Sequence, residues 1–282
     1  VFSETEAVTI GARDIQHSLY IPWQCFCLSG TRDQHTLVLT GATMELFSLE
    51  GKTALVTGSS EGIGFALANG LAEAGARIII NGRDTEKLSS AAKELEEKYS
   101  LVDQLPFDVT DYEQVQEKID YYHKNNGQID ILVNNVGMQH RGPLEDFPVE
   151  MFEKLMRTNV SSIFNVGQAV GRHMIERGNG KIVNIASVQS MLSRPGIAPY
   201  TATKGAVANI TKGMATDWAG KGIQVNAIAP GYFETRLTSA LVADPEFSAW
   251  LKQRTPAGRW GQVEELIGVC IFLSSAASSF VN

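Results

Sequence analysis

The residues with the most obvious chemical potential lie in APYTATKGA, residues 198–206, where Tyr200 and Lys204 stand one helical turn apart. At i, i+4 the two side chains share a helix face and come close enough to interact. Such a pair reads either as a solvated helix face or as a phenol whose acidity is tuned by a cation. Thirteen residues earlier, Ser187 closes the apolar run KIVNIAS. A hydroxyl, a phenol and an ammonium brought together can pass a proton to or from a substrate oxygen. Spacing alone does not decide between the readings, because Ser187 and Tyr200 meet only if the intervening chain turns back.

The elements around them supply that turn. From Lys52 onward, short β-branched runs alternate with amphipathic stretches. TALVT leads into a helix to about Ala74, and RIIIN leads into DTEKLSSAAKELEEKYS. DQLPF precedes a helix from Asp111 to about Asn126, and IDILVNN precedes a long helix from about Pro148 to Arg177. KIVNIAS, the helix carrying Tyr200, and IQVNAIAP complete the series. Strands alternating with helices indicate βαβ units and a parallel sheet with helices on both faces. Near-continuous apolar strands fit a sheet covered on both sides. The expected fold is one doubly wound Rossmann-type α/β domain over residues 44–282, strand order 3-2-1-4-5-6. In such a fold the strand C-termini face the ligand crevice, which is where Ser187 would meet Tyr200.

The first strand ends in TGSSEGIG, residues 57–64, and a helix follows at once. Gly58 permits the sharp turn, Gly62 lets backbone approach a pyrophosphate, and Gly64 lets helix pack on sheet. The helix N-terminus presents free N–H groups and a positive dipole end to the anion. At the end of the second strand the sequence reads INGRD. Gly82 stands where an NAD site would place a carboxylate on the ribose, and Arg83 follows. A guanidinium suits the 2′-phosphate of NADP through paired charge-assisted bonds, so NADP is expected, with NAD as the alternative and a solvated Arg83 as the bland one. Asp84 reads as the N-cap of the next helix.

Composition narrows the class. The 282 residues carry 44% apolar and 20% charged side chains, enough for a substantial core. A net charge of −7 leaves no excess of cations to face nucleic acid or anionic membrane. No apolar run reaches the roughly 18 residues of a membrane helix. Three cysteines, Cys25, Cys27 and Cys270, make no disulfide framework, and Cys25-Phe26-Cys27 lacks the second pair of a zinc site. No metal is expected, and a reducing cytoplasm fits. Residues 1–43 show no sustained period and read as an extension outside the fold.

TGSSEGIG, Asp108, NNVG (134–137), Asn159, Ser187 with YTATK (200–204), and PGYFET (230–235) together resemble the short-chain dehydrogenases/reductases, in register over residues 50–282. The resemblance implies a catalytic set of Asn159, Ser187, Tyr200 and Lys204. Tyr200 would exchange the proton, and Ser187 would hold the substrate oxygen. Asn159, mid-helix, would hold a water linking Lys204 to solvent. A free tyrosine ionises near 10, so neutral-pH chemistry needs a downward shift of roughly three units, about 4 kcal/mol. Lys204 and the cofactor's positive ring are expected to supply it. The resemblance also implies cofactor contacts from Gly58, Ser60, Gly62, Ile63, Gly64, Arg83, Asp108 and Val109. Asn135, Gly137, Tyr200, Lys204, Pro230, Gly231 and Thr235 complete that set. Two departures stand out: NNVG where the family usually reads NNAG, and Glu61 where many NADP-using relatives carry a base.

A finer resemblance joins LEGKTALVTGSSEGIG, INGRD, RTPAGRWG (254–261) and SSFVN to the gluconate 5-dehydrogenases of that family. It implies interconversion of D-gluconate and 5-keto-D-gluconate by an oxidoreductase of carbohydrate metabolism, acting as a homodimer or homotetramer. Arg141, four residues past NNVG on a loop near the crevice, suits a substrate carboxylate, since bidentate pairing orients as well as attracts. It reads equally as an exposed loop arginine. His140 reads as a surface residue. Two other functions stay open: a reductase of another ketone such as 3-oxoacyl carrier protein, and a non-catalytic NADP-binding regulator. Lys87, Lys93 and Lys98 are balanced by nearby glutamates, which leaves no basic dock for an acidic carrier. Family members of this kind continue past SSFVN into a strand reading roughly G-x-x-x-x-VDGG. With the sequence ending at Asn282, that final strand is expected to be missing and IQVNAIAP to be a sheet edge.

Overall fold

The computed structural model describes residues 45–282. The expected extension over 1–43, with Cys25 and Cys27, lies outside the described residues. In chain order the first half runs β1 (Thr53–Val56), α1 (Gly62–Glu73), β2 (Arg77–Ile80), α2 (Thr85–Glu96), β3 (Val102–Gln104) and α3 (Tyr112–Asn126). It continues through β4 (Ile131–Asn134), α4 (Val149–Met156), α5 (Ser162–Arg177), β5 (Gly180–Ile185), α6 (Ala198–Trp218) and β6 (Ile223–Ile228). Three further helices follow, α7 (Ser239–Val242), α8 (Pro245–Arg254) and α9 (Ile267–Ser274).

The strands form one six-stranded sheet, β3-β2-β1-β4-β5-β6, parallel throughout. Its alternation sorts the core into two layers. Ala54, Val56, Ile78, Ile80 and Val133 face α1, α2 and α9. Leu55, Ile79, Leu132, Ile182 and Val225 face the layer holding Val115, Ile119, Ile163 and Val166 of α3 and α5. Burying each such valine, leucine or isoleucine side chain contributes about 1.5–3 kcal/mol. Helices on both faces explain why the inner strands carry no polar alternation.

Two sequence-based boundaries move, and one cap stays where it was expected. The expected helix over 148–177 is broken into α4 and α5 by a π-type turn at Arg157–Ser161. DQLPF is strand only at its start, because β3 ends at Gln104 and Pro106 has no N–H for the ladder. Asp84 caps α2 as expected, its carboxylate accepting from the N–H groups of Glu86 and Lys87 at 3.1 and 3.0 Å.

A chain of buried amides ties the sheet to α6. Asn134 Nδ2 donates to Asn184 Oδ1 at 2.9 Å, and Asn184 Nδ2 donates to Thr211 Oγ1 at 2.9 Å. These bonds run from β4 through β5 into the helix that carries Tyr200 and Lys204. Among the described residues β6 pairs only with β5, as expected of an edge. The last residues lie along it: Val225 N donates to Asn282 Oδ1 and Asn226 Nδ2 to the Val281 carbonyl, each at 2.9 Å.

Candidate active site

The loops after β1, β2, β4, β5 and β6 open together at the strand C-termini and line one cavity of about 790 Å³. One end of it is the glycine turn. Gly58 (φ 63°) has no room for a Cβ, which would lie 2.9 Å from Val136 Cγ2. The valine of NNVG therefore covers that turn. Gly62 (φ 60°) faces open space, with no atom within 4 Å of an added Cβ. Gly64 is a packing glycine, its Cβ position blocked at once by the Gly58 carbonyl. Glu61, the residue before α1, makes no side-chain cap, so the helix N-terminus keeps its N–H groups for another acceptor. Asn135 holds the turn closed, its amide donating to the carbonyls of Thr57 and Gly58 at 3.1 and 3.0 Å. An anionic pyrophosphate fits this end on shape, donors and dipole.

Ser60, Ile63, Arg83, Gly137, Pro230, Gly231 and Thr235 also line the cavity. Arg83 is largely exposed and reaches back to Asp108 Oδ2 at 3.3 Å. Asp108 sits behind the wall. Burial raises its pKa, but bonds from the Thr110 N–H and hydroxyl, with Arg83 beside them, hold the carboxyl below its ordinary value. Val109 is buried beneath, its carbonyl accepting from Asn165 Nδ2 at 3.1 Å. Glu61, the departure that counts against NADP, has its carboxylate bonded to Arg236 Nη1 at 3.0 Å across the cavity mouth.

At the other end, Ser187, Tyr200 and Lys204 line the wall together. Ser187 leaves β5 and caps a short 3₁₀ turn, Val188–Ser190, accepting from Gln189 N at 3.1 Å. Its own hydroxyl hydrogen stays free to donate. α6 is held against this turn by Ser190 Oγ, which donates to the Lys204 carbonyl at 2.7 Å. Lys204 is buried and anchored, Nζ donating to the Ile185 carbonyl at 2.7 Å and standing 5.9 Å from the Tyr200 ring centre. Burial pulls its pKa down to about 8.

Without cofactor, burial opposes the fall expected for Tyr200. Its pKa is raised rather than lowered, first by burial; the Ser187 hydroxyl opposes this, and the nearby Tyr232 reinforces it. Burial is the largest cause, and the cofactor's positive ring, expected to pull the value down, acts only once the cofactor is bound.

Asn159 lies in the π-type turn and is fully buried, off the cavity wall. Its Oδ1 accepts from Met138 N at 2.8 Å, while Nδ2 donates to the Met138 carbonyl at 2.9 Å and to Thr203 Oγ1 at 3.0 Å. It thus joins the β4 loop to α6. The extra residue of a π turn, a feature frequent at functional sites, aims the side chain there. Gly137 leaves a gap between Asn159 Oδ1 and Lys204 Nζ, each 3.7 Å from the place its Cβ would take.

Arg141 does not line the cavity. It stands just behind the wall, donating to Oε1 of Gln139, a residue that does line it, at 3.1 Å. His140 packs edge-on against Phe147, ring centres 5.3 Å apart. Gln139, Gln189, Tyr232 and Leu241 line the substrate end without having been singled out by sequence. Only the tyrosine of PGYFET carried a signal, as an aromatic beside a motif.

A family model for short chain dehydrogenase matches residues 52–246. The chain belongs to the short-chain dehydrogenase family. A gluconate 5-dehydrogenase of Gluconobacter oxydans (strain 621H) is 60% identical over 238 residues, covering 84% of this chain and 93% of that protein. A 5-keto-D-gluconate 5-reductase of Escherichia coli (strain K12) is 49% identical, with 84% and 94% covered. Among solved structures, a gluconate 5-dehydrogenase from Burkholderia cenocepacia J2315 in complex with NADP and tartrate superposes with a TM-score of 0.83. It is 57% identical and covers 85% of this chain and 94% of its own.

Proposed function

We propose that this short-chain dehydrogenase uses NADP to interconvert D-gluconate and 5-keto-D-gluconate. One observation carries the reading: a single cavity runs from a glycine turn fit for pyrophosphate to the Ser187–Tyr200–Lys204 cluster. The relatives named above agree in substrate, and one of them holds NADP. Ser60, Gly62 and Ile63 at the mouth of α1 would hold the pyrophosphate, and Arg83 the 2′-phosphate. Thr235 and the Pro230-Gly231 turn would flank the nicotinamide. When bound, the cofactor accepts or supplies the hydride and brings a positive ring beside Tyr200.

In the oxidation direction Tyr200, as phenolate, takes the proton of the substrate hydroxyl; in reduction the phenol returns it. Ser187 donates to the same substrate oxygen and stabilises the charge developing there. Lys204 opposes the phenol's upward shift by its charge, and a water in the gap beside Gly137, held by Asn159 Oδ1, would link Lys204 to solvent. Arg141 acts on the substrate carboxylate as a nearby positive charge behind Gln139. We also assign the protein to carbohydrate metabolism in a reducing cytoplasm, as a homodimer or homotetramer. Cys270 is buried and unpaired, and α3 and α5 pack side by side while leaving Tyr112, Tyr121 and Phe164 exposed, an aromatic face suited to a second copy.

The test is NADPH oxidation followed spectrophotometrically against 5-keto-D-gluconate, 2-keto-D-gluconate and simple ketones. Clear preference for 5-keto-D-gluconate is expected. Preference for another substrate would replace this one, and turnover of none would favour a non-catalytic role.

A further inference from the structure

Ser187 and Tyr200 take the substrate oxygen, but two polar groups beside them have no part in that task. Gln189 follows Ser187 by two residues on the turn that Ser187 caps, so its place relative to the reacting oxygen is set by local backbone. It is 7% exposed, and its Oε1 is buried with no hydrogen-bond partner. An acceptor left in that state is destabilising unless something donates to it. Gln189 Nε2 donates to the Tyr232 hydroxyl oxygen at 3.4 Å, and Arg194 Nε donates to the same oxygen at 3.0 Å. A phenol oxygen has room for two donors. With both places taken, the Tyr232 hydroxyl hydrogen must donate elsewhere. Turning the Gln189 amide over would satisfy its oxygen from Tyr232 but strand the amide NH₂ instead. Either way a polar atom of Gln189 is left without a partner in the wall of the cavity.

Tyr232 is rigid. Its ring meets Phe247 and Trp260 edge-on, with centres 5.6 and 5.9 Å apart, and the Arg194 guanidinium lies 5.3 Å from the Phe247 ring centre. Both Gln189 and Tyr232 line the cavity next to Ser187 and Tyr200.

We propose that Gln189 and Tyr232 form a hydroxyl-recognition subsite that makes the enzyme selective for ketones bearing a hydroxyl on the carbon next to the carbonyl, with Arg194 as the residue that positions Tyr232. An acceptor and a donor side by side match a hydroxyl, which both donates and accepts. A carboxylate only accepts, so Gln189 Oε1 would repel it. The subsite therefore orients a sugar acid with its carboxylate turned away from Gln189. An aliphatic ketone leaves both protein groups desolvated and unpaired, and sites built this way discriminate strongly.

The inference rests on the reductase reading above, and its test separates the two. Wild type, Tyr232→Phe and Gln189→Met, both near-isosteric, are assayed with NADPH on hydroxyacetone, acetone and 5-keto-D-gluconate. NADPH binding checks that each variant is folded, and if one variant fails that check the other decides. The expected result is a wild-type preference for hydroxyacetone over acetone in kcat/KM. That preference should fall roughly 10- to 100-fold in either variant, and by a smaller factor in Arg194→Met. A merely structural role would lower both substrates together and leave the ratio unmoved, which overturns the proposal. If wild type prefers hydroxyacetone but ignores 5-keto-D-gluconate, the substrate assignment falls and the subsite stands. If it reduces 5-keto-D-gluconate without discriminating hydroxyacetone from acetone, the subsite falls alone. Turnover of none of the three overturns both.

Discussion

Tyr200 is held where burial opposes its ionisation, so its chemistry depends on the direction of reaction. The phenol titrates above its ordinary value of 10.0. Raising the pH therefore increases the phenolate needed for alcohol oxidation and depletes the phenol needed for ketone reduction only at the alkaline end. Initial rates in both directions should show oxidation climbing from neutral to about pH 10 while reduction holds over most of that span. Oxidation that falls with pH below about 8, where Lys204 still carries its proton, would remove Tyr200 from the acid–base role in folded protein. Tyr200→Phe should lower kcat by at least about 100-fold while NADPH still binds. At the far end of the cavity, Arg83 is exposed, and among the described residues its only ion-pair partner is Asp108. Arg83→Ala should weaken NADPH binding by roughly 1.5–3 kcal/mol and leave NADH nearly unchanged. Equal losses for both nucleotides would assign the discrimination to another residue.

Between elements, the amide relay through Asn134, Asn184 and Thr211 decides how firmly α6 sits on β5. Asn184→Ala leaves Asn134 Nδ2 and Thr211 without this partner in a dry core, a cost of about 1–3 kcal/mol. Chemical denaturation should show that loss, and an unchanged midpoint would mean the helix is held by apolar packing alone. The alternation of strands and helices, the glycine turn and the Tyr200–Lys204 spacing were legible in sequence because each is local or periodic. The same holds for Asp84, whose cap depends on the next three residues. What escaped depends on distant partners. Asn159 read as a mid-helix residue, yet it sits in a π-type turn fixed by Met138 and Thr203. Gln189 has no motif of its own; its role appears only once Tyr232 and Arg194 are seen to use up the neighbouring valences. The upward pull on Tyr200 in the ligand-free protein comes first from burial, which the sequence around Tyr200 and Lys204 does not display.

For the molecule as a whole, the site is kept at the expense of stability, and Lys204 shows how that can be measured. Its pKa is about 8 in the folded protein against an ordinary 10.5. Below pH 8 both folded and unfolded chains carry the proton, and the folded state bears the cost of burying the charge. Between 8 and 10.5 the unfolded chain binds more protons than the folded one, so stability rises with pH across that window. The span of about 2.5 units corresponds to about 3 kcal/mol. Lys204→Met removes the titration but also the donor to the Ile185 carbonyl, so the absolute stabilities at one pH mix two effects of opposite sign. Their pH dependence does not, because the carbonyl does not titrate. The stability of wild type minus that of Lys204→Met, from denaturant unfolding at a series of pH values, should be flat below pH 8. It should then rise by about 3 kcal/mol towards pH 10.5. A difference that stays level across the window would mean that Lys204 keeps its ordinary pKa in the folded protein. Its ammonium would then be better solvated than its burial beside Ile185 implies.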